Sequence, residues 1–135
     1  MLLNLLPVGN MKAQNTLKDS NSPVIKFEMD TINYGTIMHN ADGFRIIRFV
    51  NAGKEPLLIV DIHTSCGCLV ASGPKEPISS GSKGEIRVHY ATERIGYFLK
   101  SITVISNAIN SPKILVVKGK VLPDPGIPPV TTVNK

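Results

Sequence analysis

The chain has no tryptophan, only two cysteines, and 5% aromatic residues among its 135 positions. Because Cys66 and Cys68 stand one residue apart, an inter-sheet disulfide packed on a buried tryptophan is excluded, and any core must be held by aliphatic packing. Long apolar runs are also missing. The runs at 59–60 and 114–117 fall far below the ~18–20 residues that a bilayer-spanning helix needs, so the folded part is expected to be soluble and to lack a transmembrane segment. The net charge of +5 is not gathered into basic runs. Arg45, Arg48, Arg87, Arg94 and Lys100 are separated by apolar residues, which argues against nucleic acid as a partner and for a generally basic surface. Phosphate-cradling loops, dinucleotide fingerprints and paired carboxylates are absent. None of the histidines, His39, His63 and His89, stands in a hydrolase-type motif, so no enzyme activity is expected.

Helical periodicity is lacking as well, since every window of 11–18 residues with a possible apolar face is interrupted by Gly or Pro. What is present is strand grammar. Residues 24–29 and 32–37 form one kinked strand or two short ones; residues 44–50 are β-branched and aromatic; and the turn 51–56 leads into 57–62, apolar enough to be a central, buried strand. Residues 71–83 read as a loop. In 85–90, Ile86, Val88 and Tyr90 alternate with outward Glu85, Arg87 and His89. Two further strands, 97–105 and 114–121, complete about seven. Turn signals every ~8–12 residues then predict an all-β, immunoglobulin-like β-sandwich over 24–122. The segment 1–23 is expected to be an imperfect signal-like or disordered leader, with Leu2, Leu3, Leu5 and Leu6 ahead of Ala13, which points to export to the periplasm or cell envelope. Residues 123–135 carry four prolines and are expected to be an extended tail.

Four landmarks occur in order: Tyr34-Gly35-Thr36-Ile37; Phe49-Val50-Asn51-Ala52-Gly53 with Pro56-Leu57; Ser65-Cys66-Gly67-Cys68; and Gly96-Tyr97-Phe98 with Ser106-Asn107. Together they resemble the DUF1573 family of bacterial proteins over about residues 27–122, with Leu69 standing where that family usually has Thr. The resemblance implies an immunoglobulin-like sandwich similar to major sperm protein and ASPM–SPD-2–Hydin modules, exported or envelope-associated, without established enzymatic activity. Gly35 and Gly53 suit positive φ or close backbone approach, and Asn51 can cap its turn through the side-chain amide.

Three states of the cysteines remain open. His63, Cys66 and Cys68, with His39 or His89 as a fourth ligand, form a set suited to Cu(I) or Zn(II). A Cys66–Cys68 disulfide would require Gly67 to fold the backbone, because extended residues two apart place their Cα atoms ~6.5–7 Å apart, at the limit of a bridge. Reduced thiols at a strand end are the third state. The leading expectation is a non-enzymatic module without cofactor that binds a protein partner or spaces domains. The alternative is a thiol-redox or soft-metal protein centred on the Cys-Gly-Cys turn.

Overall fold

The computed structural model describes residues 20–126; residues 1–19, which hold most of the expected signal-like or disordered segment (1–23), and residues 127–135, which hold most of the expected tail (123–135), lie outside the described residues. Eight strands form two four-stranded sheets: β1 (Ile25–Phe27), β2 (Thr31–Met38), β3 (Phe44–Asn51), β4 (Ile59–Thr64), β5 (Leu69–Ser72), β6 (Lys83–Tyr90), β7 (Gly96–Ser106) and β8 (Lys113–Leu122). The strand order is β1-β3-β6-β5 in the first sheet and β2-β8-β7-β4 in the second. All pairings are antiparallel except β2 with β8. The two sheets close on each other as an immunoglobulin-like sandwich, and their inner faces form the core.

The alternation in β6 shows how the sequence builds this arrangement. Ile86, Val88 and Tyr90 are buried and their neighbours Glu85, Arg87 and His89 are not, because a period of two sends successive side chains to opposite faces. Ile25, Ile47, Leu57, Leu69, Ile86, Ile102 and Leu115 meet in the middle with almost no exposure. Each such burial stabilises by ~1.5–3 kcal/mol. One end of the sandwich is closed by aromatic rings. Tyr90 stacks on Phe98 with centroids 3.8 Å apart, and Tyr34 meets Phe98 edge-on at 5.4 Å. The Tyr34 hydroxyl donates to the Gly43 carbonyl at 2.7 Å, and burial pushes its pKa up to about 12, partly offset by the Arg45 guanidinium above the ring.

Two expectations are corrected. Residues 69–72, which overlap the start of the expected loop, form β5 against β6, so that eight strands stand among the described residues where about seven were expected. Of the two alternatives for 24–29 and 32–37, separate strands are found: β1 joins the first sheet and β2 the second. Residues 57–62 do not form a central strand. Leu57 pairs with Ile78 in an isolated bridge, and β4 is the edge of its sheet, with Val60 63% exposed. The ladder register shifts between Ile59 and Asp61. This bulge turns Val60 outward and breaks the apolar continuity that the sequence displays.

Candidate functional site

β4 is entered from β3 and left towards β5, and at both ends the chain crosses between sheets. The first crossing is organised by Asn51, which is fully buried. Its Nδ2 donates to the carbonyls of Glu55 at 2.8 Å and Ile78 at 3.0 Å. Its Oδ1 accepts from the Gly53 N–H at 2.9 Å and the Val24 N–H at 3.4 Å. The Asn51 backbone adds an N–H bond to the Ser82 carbonyl and accepts from Gly81. One amide thus joins three chain segments, and burying it is favourable only because its donors and acceptors are all used. Gly53 lies where the chain before β1 passes closest: a Cβ there would come 2.1 Å from the Ser22 carbonyl oxygen.

The second crossing holds the cysteines. Their Cα atoms lie 5.2 Å apart and the two sulfurs are drawn together as a disulfide-like pair. Cys68 is buried at the core margin and Cys66 packs against that core. The turn is closed by the Leu69 N–H donating to the Cys66 carbonyl at 3.2 Å and by the Thr64 hydroxyl donating to the same oxygen at 3.2 Å. Gly67 has no positive φ, and a Cβ there would meet nothing within 4 Å, so the turn does not depend on a glycine. By contrast, Gly35 in β2 has φ +66, the left-handed region that glycine enters without cost.

The histidines are dispersed. His63 is exposed on β4 with its Nε2 3.2 Å from Asp61. His39 pairs with Asp124 at 3.1 Å, and His89 packs against the Phe44 ring with centroids 4.5 Å apart. Among the described residues, no three His, Cys, Asp or Glu side chains converge on a common point as metal ligands would.

A surface that the sequence reading did not single out lies on the outer face of the second sheet. Phe98 points into the core, so its neighbours Tyr97 and Leu99 point out, and they are 81% and 71% exposed. Cross-strand pairing sets Tyr97 beside Lys120 and Leu99 beside Lys118. The Lys120 ammonium lies 4.6 Å from the Tyr97 ring centroid. With Asn33 and Thr36 of β2 they line a shallow groove that contains no carboxylate. The available signal was the run Tyr97-Phe98-Leu99 itself: under a period of two, three consecutive apolar residues must place some of them on the solvent side.

The family model described as "Protein of unknown function (DUF1573)" matches residues 25–121. Among solved structures, the chain is similar to a protein of unknown function from Porphyromonas gingivalis W83, with TM-score 0.66 and 18% identity over 75% of this chain and 48% of that one. The chain therefore spans about half the length of that relative. It is also similar to the ASH / PapD-like domain of human CEP192 (PapD-like domain 7), with TM-score 0.61 and 9% identity over 92% of this chain and 98% of that domain. A third likeness is to the secreted serine protease VesC from Vibrio cholerae, with TM-score 0.54 and 9% identity over 83% of this chain and 26% of that protein. At these identities the likeness is one of fold. No curated protein matches the chain.

Proposed function

The chain belongs to the DUF1573 family, and on that premise we propose that it is a non-enzymatic, immunoglobulin-like module that binds another protein at the bacterial cell envelope. The observation that carries this reading is the Tyr97 and Leu99 surface, where two large side chains are held in water on a flat sheet face. Apolar groups grouped in this way are characteristic of interaction surfaces, and tyrosine is among the residues that contribute most binding energy. Lys118 and Lys120 make the face cationic, so a partner with acidic groups around an apolar centre fits it. The envelope location rests on the apolar opening of the chain, Leu2, Leu3, Leu5 and Leu6 ahead of Ala13.

The test is in-cell photocrosslinking from positions 97 and 99, with Arg48 on the opposite sheet as the control position. Arg48 is exposed and paired with Glu85 at 3.5 Å. A discrete crosslinked protein from 97 and 99 but not from 48 is the expected result. No product from 97 or 99, or equal yield from 48, would remove the reading.

A further inference from the structure

An open sandwich has four edge strands, and here three of them carry a device that blocks strand addition while the fourth does not. Edge backbone groups are a template for another chain unless they are covered, bent or occupied. On β1, the Asn110 side-chain amide brackets Ile25, accepting from its N–H at 3.1 Å and donating to its carbonyl at 2.8 Å. On β2, the strand kinks at Gly35, whose N–H is taken by Asn33 Oδ1 at 2.8 Å. On β4, the bulge before Asp61 is followed by the Asp61 carboxylate accepting from the Ile62 N–H at 2.8 Å.

β5 differs. The Cys68 carbonyl accepts from the Ala91 N–H at 2.9 Å, and the ladder continues with Val70 opposite His89 and Ser72 opposite Arg87. Antiparallel pairs alternate between bonded and non-bonded, so Leu69 and Ala71 turn their N–H and C=O groups to the open side. The Leu69 N–H is used in the turn to Cys66. Among the described residues no side chain bonds to the backbone of Ala71.

The surroundings of this edge select what would pair with it. On the outer face, one cross-strand row runs Val70, His89, Phe44 and the next runs Ser72, Arg87, Ile46. Val70 and Phe44 are more than half exposed, the groove they line contains no carboxylate, and Arg87 forms no ion pair among the described residues. On the inner side, Ala71 of β5 and Ile62 of β4 are only partly buried against the core. We propose that β5 is the docking edge of this domain and accepts an extended segment of a protein partner, with acidic residues outward beside Arg87 and apolar residues inward over Ile62. This deepens, and rests on, the reading of the chain as an interaction module, by adding a strand-addition mode.

The probe is a blocked peptide of alternating Val and Glu, compared with its Val and Lys counterpart, titrated into the full chain and followed by amide NMR and hydrogen exchange. The expected result is shifts confined to residues 69–72 and their neighbours, slowed exchange at the Ala71 N–H, and preference for the Glu peptide. Ala71→Pro removes the outward donor at an edge position where proline is tolerated, and should abolish binding while the amide spectrum stays folded. Arg87→Glu should weaken the Glu peptide roughly tenfold or more, as loss of a close charge pair does, and reverse the preference. Equal binding of both peptides, shifts at β1, β2 or β4, or unchanged binding by Ala71→Pro would overturn the proposal. No response to either peptide would overturn it too. A crosslinked partner at positions 97 and 99 together with any of these results would leave the interaction reading standing and remove only the edge.

Discussion

β4 has a crossing at each end, and the two differ in what holds them. At the Asn51 end, a fully buried side chain ties the residues before β1, the 51–56 turn and the 78–82 loop together through hydrogen bonds. At the Cys66 end, the contacts are local: two sulfurs across one residue, a turn bond and a threonine hydroxyl. The first crossing joins segments far apart in sequence, and losing it affects the whole fold. The second shapes a few residues at the start of the unguarded β5 edge. The difference separates a corner built for stability from one placed next to the proposed docking edge.

Asn51→Ala should break that contrast most severely. It leaves the Gly53 N–H and the Glu55 carbonyl without their partner, at ~1–3 kcal/mol for each buried group, while the Ile78 carbonyl keeps only the Leu57 N–H. Loss of ~3 kcal/mol or more, and a fall in Tm on the order of 10 °C or more, should appear in thermal unfolding by calorimetry. Gly53→Ala comes next, because a Cβ overlaps the Ser22 carbonyl and the strand entry has to move. A loss of ~2–3 kcal/mol in urea titration is expected from such overpacking. Replacing both Cys66 and Cys68 with Ser should cost only ~1–2 kcal/mol in the same titration, since the loop between them is tiny and most of its contacts are local.

Tyr34→Phe supplies a reference at a third turn, remote from the contrast. Loss of the hydroxyl bond to Gly43 should cost ~1 kcal/mol at neutral pH. The folded-state pKa is raised, from 10.0 to about 12. The stabilising preference for the neutral phenol is therefore fully present below pH 10 and is lost as pH rises from about 10 to 12. Wild-type stability should decline across that window, and the decline should be shallower in Tyr34→Phe. The smallest effect is expected for Gly67→Ala, where open space and ordinary φ predict a change within ~0.5 kcal/mol or a slight gain.

The sandwich was legible because strand alternation is local. Glu85 to Tyr90 declared its inner and outer faces from sequence alone, and the structure has the same faces. The order of strands was less legible. Residues 57–62 look central by apolarity, yet a bulge at Val60 and pairing with β7 alone make β4 an edge. The parallel pairing of β2 with β8 joins segments some eighty residues apart and has no local signature. At the candidate surfaces, residue chemistry drew attention to Cys66, Cys68 and His63, while Tyr97 entered only as part of a family landmark and Leu99 as an ordinary strand residue. Their exposure follows from which face of β7 meets the opposite sheet, a consequence of packing.

The central claim is that Tyr97 and Leu99 bind a partner without supporting the fold. The most direct measurement is the crosslinking yield in cells from position 118, in the wild-type background and with Tyr97→Ala and Leu99→Ala together, alongside the Tm of each purified protein. The account predicts a yield lower by roughly tenfold or more, as expected when two central contacts are removed, with Tm nearly unchanged. An undiminished yield would contradict it, and so would a yield that falls only in step with Tm.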